Sequence, residues 1–197
     1  MRLPGRRGGG APVDWLIVGL GNPGAEYQDS PHNIGFEVAE RLNQRWDLGK
    51  PKAKYRGLLT QGRTGIGPGH QRVAILMPQT YMNEAGKSVG PARGELKVDL
   101  DHLLVIHDEI DLPFDDIRTR LGGGLAGHNG LKSLKASLGS ADFHRVRVGV
   151  GRPPTTDPER VAAYVLGKFR EPKADVDALI DHAADAAERV IQDAPDR

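Results

Sequence analysis

The apolar positions of the chain follow two alternating rhythms. DWLIVGL (14–20) and RVAILMP (72–78) are short unbroken apolar runs, the mark of strands buried on both faces, and HLLVIHD (102–108) is a third that ends in polar residues. FEVAERLNQRW (36–46) and NGLKSLKASLG (129–139) instead repeat their apolar residues every three or four positions, as amphipathic helices do. FHRVRVGVG (143–151) alternates basic and apolar side chains, a strand pattern. From 174 to 192, Val176, Leu179, Ile180, Ala183, Ala187, Val190 and Ile191 share one helical face, so this stretch is expected to dock as a helix. Strands alternating with helices predict the α/β class, with a twisted, mostly parallel mixed β-sheet and helices on both faces. Residues 13–197 are expected to form a single domain, preceded by a flexible basic leader, MRLPGRRGGGAP, over 1–12.

Composition narrows the classes. The 197 residues, 38% hydrophobic, suffice for one ordinary core. Cysteine is absent, which removes disulfides, a thiolate nucleophile and cysteine zinc sites, and fits a reducing compartment. No apolar run approaches the roughly 20 residues of a membrane span, and the leader lacks the apolar centre of a signal peptide. The expectation is a cytoplasmic protein that does not meet a membrane. The net charge of +1 hides a segregation: Ile117 to Lys173 holds 11 Lys or Arg against 4 Asp or Glu, and the rest of the chain 16 against 22. A polyanionic partner would meet that segment, although on charge alone a solvated face with counter-charges nearby accounts for it better.

LIVGLGNPG (16–24) matches the dinucleotide fingerprint G-x-G-x-x-G at Gly19, Gly21 and Gly24. That site needs the third glycine to open a helix, yet the chain continues AEYQDSPHN, with Pro23 inside the motif and Pro31 soon after. The context speaks against an NAD-linked oxidoreductase. Asn-Pro-Gly is instead a turn sequence, which sets Asn22 at a corner just past a strand.

Other polar residues also stand at the ends of elements: His32 and Asn33 before the first helix, Asn83 in TYMNEAG, Asp108 at a strand end, Asn129 in GGGLAGHNG. Each fits an ordinary turn or cap. Together they lie where open α/β sheets build sites, at the carboxyl ends of strands. The glycine run 122–124 is not followed by Gly-Lys-Ser/Thr, so it is no Walker loop, and neither G-x-S-x-G nor H-E-x-x-H occurs. HDE (107–109) supplies neighbours that a strand points to opposite faces, so no metal and no cofactor is expected. What is left for chemistry is a histidine, a carboxylate to orient it, and asparagine amides.

GLGNPGAEY, HNIGF, YMNEAG, HDEIDLPF, GGGLAGHNGLKSL and FHRVRVGVGRP, in that order from about Trp15 to Phe169, resemble the bacterial peptidyl-tRNA hydrolases. The resemblance implies a monomeric α/β catalytic domain that hydrolyses the ester between a peptide and the 3′ ribose of tRNA. By the same resemblance His32 is the catalytic base and Asp108 its partner, while Asn22, Asn83 and Asn129 are the family's asparagines. Tyr27 falls at the ribose end, and Met82 forms an apolar wall. Arg118, Arg120, Arg145 and Arg147 resemble the clamp for tRNA phosphate. Three features depart from the family pattern: Pro31 before the histidine where arginine is usual, Leu125 and Ala126 after the glycine run, and the leader. None touches the five matched polar residues. A noncatalytic RNA-binding relative that keeps the cleft is the competing reading.

Overall fold

The computed structural model describes residues 12–65 and 70–194. The leader through residue 11 lies outside the described residues. Among the described residues seven strands run in chain order: β1 (Trp15–Gly19), β2 (Lys52–Lys54), β3 (Gly57–Arg63), β4 (Arg72–Pro78), β5 (Leu103–Glu109), β6 (Ile117–Leu121) and β7 (His144–Gly149). They form one sheet in the order β2-β3-β4-β1-β5-β7-β6. The central four, β4, β1, β5 and β7, are mutually parallel, and antiparallel strands flank them on both edges. The sheet is thus mixed with a parallel centre, as the strand and helix alternation predicts.

Among the described residues five α-helices accompany it: α1 (Ile34–Arg45), α2 (Gly86–Leu96), α3 (Asn129–Leu138), α4 (Pro158–Leu166) and α5 (Lys173–Asp193). The period-2 geometry of β1 divides its apolar residues between the two faces. Trp15 and Ile17 pack with residues of α1 and α5, while Leu16 and Val18 pack with those of α2 and α3. The predicted C-terminal stripe is real, since Leu179, Ile180, Ala183, Ala187 and Ile191 of α5 are buried. At its border Arg45 of α1 bridges Asp181 (3.0 Å), Asp185 (2.7 Å) and Glu188 (3.2 Å) of α5, and Trp46 Nε1 donates to Glu188 (3.0 Å).

The packing of α1 explains the first glycine of the false fingerprint. A Cβ at Gly35 would lie 2.5 Å from the Ile106 carbonyl oxygen and from Leu20 main-chain atoms, and Gly19 faces the Gly35 carbonyl equally closely. Without side chains at both positions, α1 rides directly on the ends of β1 and β5. That contact places the residues just before α1 over the carboxyl end of β5.

Candidate functional site

β4, β1 and β5 are neighbours, and they all end on the same side of the sheet. The residues just past those ends, and the starts of α1 and α3, therefore converge. Asn22, Tyr27, His32, Met82, Asn83, Asp108 and Asn129, the seven non-arginine residues to which the family resemblance gives a place in the site, all line one cleft of about 720 Å³.

At its floor Asp108 is 4% exposed, the penultimate residue of an all-buried strand. His32 follows Pro31, which opens a 3₁₀ turn (Pro31–Asn33), where a proline's missing N–H costs nothing. His32 Nδ1 lies 2.9 Å from Asp108 Oδ1 and 3.0 Å from Oδ2. An ionised carboxylate only accepts, so Nδ1 carries the hydrogen and Nε2 holds the free lone pair. Burial lowers the His32 pKa, but the charge and hydrogen bond of Asp108 outweigh it and raise the net value above 6.5. Burial alone would raise the Asp108 carboxyl, yet the two imidazoles hold it well below the usual carboxylate range.

The second imidazole is His128, which sequence reasoning passed over. Its Nδ1 accepts the amides of Gly130 (3.1 Å) and Leu131 (3.3 Å) as the N-cap of α3. Nε2 must then carry the hydrogen, which it donates to Asp108 Oδ1 at 2.8 Å. A histidine followed by the asparagine that opens a predicted helix is the signal that was available. His107, expected to face away from Asp108, also reaches this corner: its Nδ1 donates to the Asp108 carbonyl (2.8 Å) and its ring meets His128 edge-on, centroids 5.0 Å apart. Burial pushes the His107 pKa down to about 3. His107 reaches the corner through a main-chain carbonyl and through His128, the capping residue that α3 brings over the strand end.

His32, Asp108 and His128 are also a grouping of metal-ligating types among the described residues, with candidate ligand atoms within 4.8 Å of one another. Linear spacing gave no sign of it. Both ring nitrogens that face Asp108 carry hydrogens, so the arrangement is a hydrogen-bonded triad and its inward lone pairs are not free for a cation.

The asparagines are held as tightly. Asn33, a cap candidate by sequence, makes no cap bond; its Oδ1 accepts the Asn22 amide (2.8 Å) and its Nδ2 donates to the Asn22 carbonyl (2.9 Å), which locks the Asn-Pro-Gly turn. The Asn22 Oδ1 accepts the Met82 amide at 2.7 Å. That bond fixes the amide orientation and leaves Nδ2 as a donor toward the cleft. Tyr81, 60% exposed, stands at the mouth, another residue not singled out by sequence.

The four arginines divide. Arg118 and Arg120 on the edge strand β6 are exposed, opposite Arg147 and Arg145 on β7. Arg118 pairs with Asp116 (3.0 Å), and Arg147 with the buried Glu109 (3.2 Å). Arg145 corrects the sequence reading. It is 2% exposed, and its guanidinium donates to the carbonyls of Gly124 (2.6 Å), Gly123 (3.0 Å) and Ala141 (3.1 Å), so it is spent inside the protein and offers nothing to a phosphate.

A buried carboxylate that fixes an imidazole with its free nitrogen in an open cleft, ringed by oriented amides, defines an α/β enzyme built for acid–base chemistry on a carbonyl. Known proteins agree. A family model described as peptidyl-tRNA hydrolase matches residues 16–197. The peptidyl-tRNA hydrolase of Geobacillus kaustophilus is 44% identical over 178 residues, 90% of this chain and 92% of that protein; that of Pseudarthrobacter chlorophenolicus is 43% identical over 180 residues, 91% and 90%. The crystal structure of peptidyl-tRNA hydrolase from Acinetobacter baumannii superposes with a TM-score of 0.80 at 37% identity, covering 93% of this chain and 92% of its own. The chain belongs to the peptidyl-tRNA hydrolase family.

Proposed function

We propose that the protein hydrolyses the ester joining a peptide to the 3′ ribose of peptidyl-tRNA, with His32 as general base. The observation that carries this reading is the His32–Asp108–His128 arrangement, which leaves His32 Nε2 as the free base in the cleft. A water attacks the ester carbonyl as His32 Nε2 takes its proton, and Asp108 stabilises the resulting imidazolium. His32 then returns the proton to the departing ribose oxygen, giving a peptide acid and tRNA with a free 3′-hydroxyl. Asn22 Nδ2, held by its Met82 contact, is suited to the developing oxyanion, and one such donor contributes roughly 3–4 kcal/mol. Asn83 and Asn129 orient water or peptide, Met82 walls the site, and Tyr27 meets the ribose. The exposed ring of Tyr81 suits stacking on a terminal base.

Phosphate contacts carry no sequence information, which suits one enzyme serving many tRNAs. Arg120, which has no acidic partner among the described residues, is the foremost of them; Arg118 and Arg147 act with their charge partly matched. We place the protein as a monomeric catalytic unit in the cytoplasm. In support, the large exposed apolar side chains of the described residues are Tyr81 and Leu121 alone, and no described helix is long and apolar enough to cross a membrane. Release of N-acetyl-amino acid from N-acetyl-aminoacyl-tRNA tests the reading. Turnover supports it, and tight tRNA binding without turnover replaces it with an RNA-binding protein.

A further inference from the structure

The glycine run at 122–124 is the sequence motif that the proposed mechanism leaves without a role. Main-chain hydrogen bonding around it is one-sided. The carbonyls of Gly123 and Gly124 accept from Arg145, and that of Leu125 accepts the His128 amide at 2.9 Å. The amides of Gly123, Gly124, Leu125, Ala126 and Gly127 donate to no group among the described residues. Five consecutive donors thus stand open while three successive carbonyls are drawn inward.

The geometry is enforced. Arg145 is buried, stacked on Phe143 with its guanidinium carbon 5.0 Å from the ring centroid, and so cannot swing out. Positive φ at Gly122 (70°), Gly123 (102°), Ala126 (48°) and Gly127 (72°) is the kind of backbone that turns neighbouring amides toward a common anion. Ala126 holds this conformation against its steric preference. The loop also spans two parts of the proposed RNA path. At one end Arg120 crosses Gly123, whose Cβ, if present, would lie 2.6 Å from Arg120 Nε. At the other, Ala126 and Gly127 line the cleft with His32.

We propose that the amides of Gly123 to Gly127 cradle the phosphodiester groups of the last nucleotides of the RNA strand that carries the ester, with Arg145 turning the carbonyls away from them. This rests on the proposed function and names the part of its substrate that the loop grips. Main-chain amides recognise the charge without reading a base, and every substrate RNA presents those phosphates at the same distance from its ester. A nearby unpaired Arg120 adds positive potential without the fixed geometry that the amides supply.

The test compares an N-acetyl-aminoacyl minihelix RNA with one whose last two phosphodiesters are neutral methylphosphonates. The cradle predicts that both are cleaved at similar kcat, with KM about tenfold or more higher for the neutral form, the loss expected for charge-assisted hydrogen bonds. In a ¹⁵N-labelled protein, a non-cleavable analogue with a 3′-amide link should move the amide resonances of Gly123–Gly127 downfield, and its methylphosphonate counterpart should not. Equal KM for the two RNAs, or loop amides unmoved by the charged analogue, overturns the cradle. Failure to cleave the unmodified RNA overturns the hydrolase reading instead, and the amide titration still decides the cradle by itself.

Discussion

Replacing Asp108 by asparagine changes one atom of the triad and should disable it through the tautomer of His32. The carboxylate accepts His128 Nε2–H on Oδ1 at 2.8 Å and His32 Nδ1–H on both oxygens, at 2.9 and 3.0 Å. Asparagine offers one acceptor and one NH₂. With the NH₂ at the Oδ1 position it opposes both rings, and His128 cannot shift its hydrogen without giving up the cap of α3. With the NH₂ at Oδ2 it opposes only His32, whose Nδ1–H keeps an acceptor at the Oδ1 position (2.9 Å) but meets an N–H at 3.0 Å; moving the hydrogen to Nε2 removes that clash and lets Nδ1 accept from the NH₂. The second arrangement wins, and the proposed base is blocked. The same error in Ser-His-Asp triads costs about 10⁴-fold, and general bases are worth about 10²–10⁴, so single-turnover cleavage should fall by about 10²–10⁴-fold, or roughly 3–5 kcal/mol of barrier. The pH profile should move as well. The wild-type acid limb of kcat/KM lies above pH 6.5, because the charge and hydrogen bond of Asp108 outweigh burial at His32. In Asp108→Asn only burial remains, so the residual rate should have its acid limb below 6.5. A rate within a few-fold of wild type, or an acid limb that stays put, refutes the tautomer argument.

Four further outcomes follow from the geometry. His107 binds a proton near pH 6.5 when unfolded but only at about 3 when folded, so between these values the unfolded state holds more protons and stability falls as pH falls, by up to about 1.4 kcal/mol per pH unit; urea melts from pH 6.5 to 4.5 should show a shallower decline in His107→Leu, and an equal decline contradicts the assignment. Arg120→Ala should reduce the magnitude of the salt slope of tRNA binding by about 0.7 to 0.9, and Arg118→Ala, already paired with Asp116, by less; equal slopes in wild type and Arg120→Ala remove Arg120 from the clamp. Arg145→Ala should lower unfolding stability by about 1–3 kcal/mol by stranding inward carbonyls, whereas Arg120→Ala should change it by less than about 0.5. Gly35→Ala should cost about 1–3 kcal/mol or more in urea melts, since its methyl meets main-chain atoms of two strands that cannot yield, and a neutral result contradicts the close contact.

Periodicity carried the fold far because its signals were local. The unbroken runs at Trp15–Gly19 and Arg72–Pro78 became central parallel strands, and the stripe from Val176 to Ile191 became α5. The edge strands were less legible. Lys52–Lys54 is fully exposed and Ile117–Leu121 nearly so, which leaves no apolar rhythm to read. α2 was hidden by its glycines and by Pro91, whereas α4 was legible in principle, with Asp157 as cap, Pro158 at its first position and an apolar stripe behind them. In the site, position at strand ends was enough to gather the asparagines with His32 and Asp108. The pairings of Asn33 with Asn22, of His128 with Asp108 and of Arg145 with the carbonyls of Gly123 and Gly124 were not readable, because each joins residues 11 to 22 positions apart whose approach is set by tertiary packing. The basic alternation of β7 concealed the distinction between an arginine that faces solvent and one that anchors a loop.

Whether His32 performs chemistry or merely holds substrate is decided by His32→Ala, with single-turnover cleavage of N-acetyl-aminoacyl-tRNA and equilibrium binding of deacylated tRNA measured on the same preparation. With His32 as the general base, cleavage should slow by about 10²–10⁴-fold at nearly unchanged affinity, because a neutral imidazole makes little contact with phosphate. Cleavage at the wild-type rate, or a defect confined to affinity, contradicts that role.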